Sequence, residues 1–343
     1  VPYAASLHEV SQAQGLVLAA AGDSRGCQFL RAELEGAAPA DRQAIFEALL
    51  LQACELSSSA CGSVVVQKLL EVGTAGQKRA LVAELQRDLL RRSLHAHGCR
   101  VVQSMIEVAN REELLRTAAE LDGSVIQCIE SMHGNHVIQK CVEHMPPESV
   151  GFVVEAVERE TLAMASHMYG CRVVQRLLEH CAPRQLEGIL GQILGSVPRL
   201  AKDPYGNYVV QHILQHGRKE DKRRVIEAIA EDVMGFTRHK CSSNVVDKCL
   251  EVSTTGEHAQ FLEEERAALM RAVMDENGEH AVDGKPPLVQ MAECRHGNFI
   301  AHRLVERSRG AERERLLKQL SDAEQELRSS VKGRKLLALL QRY

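Results

Sequence analysis

The segment HGCRVVQSMIE, from His97 to Glu107, places apolar side chains at Val101, Val102, Met105 and Ile106. That spacing draws one stripe down a helix and predicts a single buried face. The pattern recurs as HGNHVIQKCVE from His133, YGCRVVQRLLE from Tyr169, YGNYVVQHILQ from Tyr205, CSSNVVDKCLE from Cys241, HGNFIAHRLVE from His296 and CGSVVVQKLLE from Cys61. A weaker copy, RGCQFLRAELE, starts at Arg25. The second residues of the copies are Gly26, Gly62, Gly98, Gly134, Gly170, Gly206, Ser242 and Gly297, giving six steps of 36 residues and a last one of 55. A further step of 36 reaches Gly333 in VKGRKLLALLQ. Between the copies, segments such as QLEGILGQILGSVPRLAKD from Gln185 carry more helical patterning, and strand alternation is absent. This predicts an all-α protein, an α-solenoid of eight 36-residue units stacked on one continuous core, with residues 1–343 forming a single domain.

The recurring helices are expected near 25–35, 61–71, 97–107, 133–143, 169–179, 205–215, 241–251 and 296–306, with a terminal partial copy over about 320–343. The glycine leading each copy is expected to permit close backbone approach at the helix start. The 19 additional residues before the last full copy include DENGEHAVDGKPP, residues 275–287. Its Gly, Pro and acidic residues predict an exposed loop, read as a tolerated insertion with partner docking as the alternative.

Composition narrows the class. Hydrophobic residues make 45 %, enough for a packed core, while 24 Gly and 9 Pro exclude collagen-like or Pro-rich chains. Aromatic residues are 3 % with no Trp, which argues against an aromatic-rich β-sandwich or a carbohydrate site. Against 46 acidic residues stand 42 basic ones, a net charge of −4, so a nucleic-acid partner must be held by local chemistry rather than a global field. The 11 cysteines include no Cys-x-x-Cys pair and read as free thiols in a reducing, cytoplasmic setting. The opening VPYAASLHEVSQAQGLVLAAAG lacks the basic start of a signal peptide, and no apolar run approaches the roughly 20 residues of a membrane span. No membrane association is expected.

The chemistry sits at three positions of each copy: the residue after the glycine, the next one, and the one four after the first. The outer two share a helix face, and the middle one is rotated by about 100° toward the neighbouring unit. The triplets read Cys27/Gln28/Arg31, Ser63/Val64/Gln67, Cys99/Arg100/Gln103, Asn135/His136/Gln139, Cys171/Arg172/Gln175, Asn207/Tyr208/Gln211, Ser243/Asn244/Asp247 and Asn298/Phe299/His302. Core positions would be apolar. Here the outer pair is small or amide-bearing, and the middle residue is flat in Arg100, His136, Arg172, Tyr208, Asn244 and Phe299. Flat groups stack on bases, and the outer pair suits the hydrogen-bonding edge of the same base.

These copies closely resemble the repeats of the Pumilio, or PUF, family of single-stranded RNA-binding proteins, and SNVVDKCLE is similar to that family's guanine-reading repeat. The resemblance covers essentially the whole chain. It implies a right-handed crescent of three-helix repeats with terminal half-repeats, one base per repeat, and RNA antiparallel to the protein. It also implies binding in the 3′ untranslated regions of messenger RNA, post-transcriptional repression through partners such as a deadenylase complex, and a monomeric protein without cofactor or metal.

Uracil offers two carbonyl acceptors and one N–H, which suits Asn207 with Gln211 and Asn135 with Gln139. Adenine suits a small residue with Gln: Cys99 with Gln103, Cys171 with Gln175, Ser63 with Gln67. Guanine presents N1–H and an amino group, and Ser243 with Asp247 supplies the acceptor, although Asp is one methylene shorter than the family's Glu. Asn298 with His302 is assigned to uracil, and Cys27 with Arg31 resembles the cytosine-reading variant. The expected element is 5′-UGUAUAA-3′ followed by C or any base. In five copies the position after the Gln or its equivalent carries Lys68, Lys140, Arg176, Lys248 or Arg303, and in one His212, a candidate phosphate track together with Arg100 and Arg172. A Glu recurs one turn later, as Glu71, Glu107, Glu143, Glu179, Glu251 and Glu306, poised to pair with these cations.

Two other readings compete. A protein-binding helical scaffold predicts no regularity at the three positions, and a PUF-like ribosome-assembly factor predicts a basic chain. His95, His97 and Cys99, like His239 and Cys241, have the look of metal ligands or a Cys–His catalytic pair. Each occupies a repeat position held by other residue types elsewhere, so neither zinc nor enzymatic activity is expected.

Overall fold

The structure is a computed structural model that describes residues 14–36, 38–275 and 284–340. These residues are nearly all helical. The eight recurring helices, here α1 to α8, span Ser24–Gly36, Ala60–Val72, Gly98–Val108, Gly134–His144, Gly170–His180, Gly206–His216, Ser242–Thr254 and Gly297–Arg307. Each follows a shorter helix and precedes an outer one. In the third repeat these are Leu89–Ser93 and Arg111–Leu121. The first, divergent copy keeps the same plan, with Gln14–Gly22 before α1 and Pro39–Leu50 after it. After α8, helices Gly310–Asp322, Glu324–Ser329 and Val331–Leu340 complete the eighth repeat and begin the terminal half-repeat.

The packing divides the chain into two units, residues 1–160 with 180–186 and residues 161–179 with 187–343. In the first, the stripes Val65, Val66, Leu69 and Leu70 of α2, Val101, Val102, Met105 and Ile106 of α3, and Val137, Ile138, Cys141 and Val142 of α4 are buried. In the second, Val209, Val210, Ile213 and Leu214 of α6, Val245, Val246, Cys249 and Leu250 of α7, and Ile300, Ala301, Leu304 and Val305 of α8 play the same part. Full burial of each such side chain contributes about 1.5–3 kcal/mol, so helix placement follows the stripe rather than intrinsic propensity.

The extra length of the seventh repeat is shared between two places. The outer helix Glu263–Met274 starts 21 residues after Ser242, whereas Lys219–Ala230 starts 13 after Gly206. Eight of the added residues therefore lengthen α7 and the turns at 255–262. The others fall after Met274, in the predicted 275–287 loop, of which residues 276–283 lie outside the described residues. The flanks of that loop, Asp275 (φ 45°) and Gly284 (φ 75°), both turn through the left-handed region.

One close contact recurs in the first turn of the recurring helices. A Cβ built on Gly134 would lie 2.7 Å from the carbonyl oxygen of Cys128, six residues earlier, and 2.9 Å from its Cα. The carbonyl six residues earlier is likewise nearest or next nearest at Gly26, Gly62, Gly98, Gly170, Gly206, Gly297 and Gly333, at 2.2–3.0 Å. Ser242 replaces the glycine in the seventh repeat, and its hydroxyl donates at 2.8 Å to the carbonyl of Phe236, again six residues back. The exception thus satisfies the group that the glycines approach.

Gly134→Ala is expected to cost about 1–3 kcal/mol through overpacking. Gly76→Ala, where nothing lies within 4 Å of the new methyl group, should gain up to about 1 kcal/mol of helix propensity. Urea unfolding of the two variants checks this, and equal midpoints would refute the close-contact account.

Candidate nucleic-acid interface

The three columns differ in exposure in a regular way. Cys27, Ser63, Cys99, Asn135, Cys171, Asn207 and Ser243 are buried, and Asn298 is half-buried. The middle residues Gln28, Arg100, His136, Arg172, Tyr208, Asn244 and Phe299 are exposed, with Val64 half-buried. In the third column Gln67, Gln103, Gln139, Gln211, Asp247 and His302 are half-buried, Gln175 is buried and Arg31 is exposed. Each repeat from the third to the sixth therefore presents a recessed residue, an amide one turn later, half-open except at the buried Gln175, and a projecting flat or long group between them, whereas the second has the half-buried Val64 in the middle.

The recessed residue and the amide are tied together. Gln139 Nε2 donates to Asn135 Oδ1, and Gln211 Nε2 to Asn207 Oδ1, both at 2.9 Å. Where the first residue has no amide oxygen, the Gln donates to its backbone carbonyl instead: Gln67 to Ser63 at 2.9 Å, Gln103 to Cys99 and Gln175 to Cys171 at 3.0 Å. Asn135 and Asn207 are anchored in turn by Nδ2 donation to the carbonyls of Ser131 and Asp203, each at 2.8 Å. The pairs are thus preset before any ligand arrives, which lowers the ordering cost of binding. Burial raises the thiol pKa of Cys27, Cys99 and Cys171, so these stay neutral S–H groups. A neutral buried thiol is a small packing and weakly donating surface, not a nucleophile.

The end repeats depart from this arrangement. Cys27 Sγ donates to the carbonyl of Cys61 at 3.3 Å. Asn298 Nδ2 donates to the carbonyls of Ala292, at 2.7 Å, and Lys332, at 3.2 Å. Asp247 meets Arg307 of α8, whose Nη1 reaches Oδ1 at 2.6 Å and the Asp247 carbonyl at 2.8 Å. In the middle column, the Arg172 guanidinium carbon lies 5.9 Å from the Tyr208 ring centroid, so successive projecting residues are neighbours across one repeat step. Arg303 covers the Phe299 ring at 4.9 Å.

The basic column is neutralised by the recurring Glu. Lys68 bonds Glu35 at 2.8 Å and Glu71 at 3.0 Å, and Lys140 bonds Glu107 at 2.8 Å with Glu143 at 3.6 Å. Arg176 pairs with Glu179 at 2.7 Å, Lys248 with Glu251 at 3.0 Å and Arg303 with Glu306 at 2.6 Å. His212 meets Glu179 at 2.7 Å. The Glu partners raise the pKa of Lys68, Lys140 and Arg303. Three of these contacts, Lys68–Glu35, Lys140–Glu107 and His212–Glu179, join successive repeats and span 33 residues. That offset is one period less one helical turn, and it was available in the sequence as a constant spacing. Where Gln215 replaces the Glu, Lys248 keeps its own-turn partner Glu251.

A further column, missed by sequence reasoning, stands three residues before the glycine. Gly26, Gly62, Gly134, Gly206 and Gly333 donate their N–H to Asp23, Ser59, Ser131, Asp203 and Ser330 respectively. His95 and His167 do the same work with Nδ1, accepting from Gly98 at 3.3 Å and Gly170 at 3.1 Å, and His239 Nδ1 accepts from Cys241 at 3.2 Å. Of the histidines weighed above as metal ligands, His95 and His239 are therefore caps on helix starts, as is His167, interchangeable with Asp and Ser because each offers an acceptor to an orphan N–H. A column of Asp, Ser and His at the 36-residue period was the signal.

Comparison with known proteins bears on the family and the fold. A profile of the Pumilio-family RNA binding repeat matches residues 52–86, 91–121, 131–157, 161–194, 196–230, 233–265 and 288–321. Pumilio homolog 1 of Xenopus laevis is 33 % identical over 82 residues, 24 % of this chain but 7 % of that protein. Among solved structures, PUF-8 in complex with PBE-RNA superposes with a TM-score of 0.90 at 29 % identity, covering 100 % of this chain and 96 % of that one. The Puf3 RNA binding domain bound to the Cox17 RNA 3′ UTR recognition sequence site A gives 0.83 at 29 % identity, over 98 % and 96 % of the two chains. The Puf4 RNA binding domain bound to the HO endonuclease RNA 3′ UTR recognition sequence gives 0.81 at 25 % identity, over 93 % and 97 %. With seven matched repeats on a helical-repeat fold, the chain belongs to the Pumilio family of RNA-binding repeat proteins.

Proposed function

We propose that the chain binds single-stranded RNA sequence-specifically, one base per repeat, at an element of the form 5′-UGUAUAA-3′. The observation that carries this reading is the preset pair of each central repeat: an amide or small recessed residue bonded to a Gln one turn later. Donating one amide proton to its partner leaves each Gln with its carbonyl oxygen and a second N–H for a base edge. Asn207 and Asn135 fill the space beside it and add polar contacts for uracil. Cys99 and Cys171 leave room for the larger adenine. Arg172, Tyr208, His136 and Arg100 project where successive bases would be sandwiched.

The reading extends to biology by resemblance. The Puf3 and Puf4 structures hold 3′ UTR recognition sequences. For this chain the corresponding proposal is a cytoplasmic monomer that marks messages for repression or decay by recruiting effector proteins such as a deadenylase. Its phosphate contacts are proposed to rest on the Lys68, Lys140, Arg176, Lys248 and Arg303 column together with Arg100 and Arg172. Because that column is paired with Glu, its contribution is small.

Fluorescence titration with 5′-UGUAUAAC-3′ against a scrambled RNA of equal length tests the proposal, and equal affinity refutes it. Val64 has no π-face and Gln28 stacks weakly, so removing the last two bases should cost less than about 100-fold, at the low end of what two aromatic stacks at about 1–3 kcal/mol each would give. A larger loss would assign the first two repeats a full share of binding. The paired basic column also predicts a shallow salt dependence. With about three effective cations at about 0.7 each, log K against log salt should fall with a slope near −2, and a slope beyond about −5 would mean that RNA breaks the ladder.

A further inference from the structure

Asp247 is the one carboxylate in the third column, and the structure holds it differently from every Gln there. The glutamines fold back toward the N-terminal end of their helix, onto the residue four earlier. Asp247 instead shares Arg307 Nη1 with its own backbone carbonyl, at 2.6 Å for Oδ1 and 2.8 Å for the carbonyl. Ser243 makes no bond to it, its hydroxyl donating to the Lys240 carbonyl at 3.1 Å. Arg303 stands behind the same Oδ1, with Nε at 3.9 Å.

Arg307 has no counterpart in the other repeats. Its position is held by Val72, Val108, His144, His180, His216 and Val252 elsewhere. Both partners are mostly covered, Asp247 at 19 % and Arg307 at 18 % side-chain exposure, so water screens the pair only in part. Guanine offers two donors, N1–H and the amino group, and a free carboxylate meets them with two oxygens. Here Oδ1 is committed to a guanidinium.

We propose that Arg307 is a specificity-determining residue of the seventh repeat, competing with guanine for Asp247 and so weakening the preference for guanine at the second base. The proposal rests on the base-per-repeat reading above. It deepens that reading by making guanine selection a contest between a base and an arginine of this chain.

Binding of 5′-UGUAUAAC-3′ is compared with its second-base U and A variants and with a fourth-base U variant, for the wild-type chain, R307Q, D247N and D247N/R307Q. Expected for the wild type is a second-base preference for guanine under 10-fold. R307Q should raise it by 10-fold or more, and D247N/R307Q should lose that gain. Discrimination at the fourth base, read by Cys171 and Gln175, should stay constant, which shows that the variants fold. A strong wild-type guanine preference that R307Q leaves unchanged or lowers overturns the proposal alone. Absence of discrimination at both bases, in every variant, overturns it together with the base-per-repeat reading.

Discussion

The constraint on which the rest depends is the approach of each recurring helix to a carbonyl six residues before its first glycine. A Cβ there would stand 2.2–3.0 Å from that oxygen at Gly26 through Gly333, so only glycine, or a serine that bonds the same oxygen, is admitted. The contact sets the first turn of the helix. The acceptor three residues before the glycine then caps it, through Asp, Ser or His. With that turn set, the residue after the glycine is recessed in seven repeats, the following one projects in all but the second, and in the second to sixth the Gln a turn later bonds the first. A backbone contact thereby becomes a register for side-chain chemistry, repeated along each unit.

That register explains a division of labour between polar groups. Each Gln spends one amide proton within the protein, while the Asn of an amide pair is further anchored to the backbone. The charged groups a residue further on are used up within the protein, as Lys68 and Lys140 show by bridging the Glu of their own turn and the Glu of the repeat before. The cations of these pairs are largely covered while their Glu partners are more open, and the contacts join neighbouring repeats and cancel charge. On the reading proposed above, an acidic chain would bind RNA through stacking and edge contacts more than through phosphate attraction.

Much of this was readable from the sequence. The period, the buried stripe, the all-helical units and the three columns follow from spacing and residue type, because a repeat reports the same environment eight times over. The glycine's role was readable in kind, but Ser242 and the carbonyl of Phe236 needed coordinates. The His95 and His239 caps were hidden because a histidine two or four residues from a cysteine also has the spacing of a metal ligand. The Arg307–Asp247 pair was out of reach for a different reason. It occurs once, across a 60-residue separation stretched by the long seventh repeat, so no periodicity announces it.

The central claim is that each preset pair addresses one base and does so independently of its neighbours. It is tested most directly by selecting RNAs from a randomised pool with the wild-type chain and with Asn207→Cys, which converts the sixth repeat's pair into the Cys and Gln of the fifth. The account predicts that the third selected base changes from U to A and that every other position keeps its preference. Selected sequences that are unchanged, or altered at several positions at once, would contradict it.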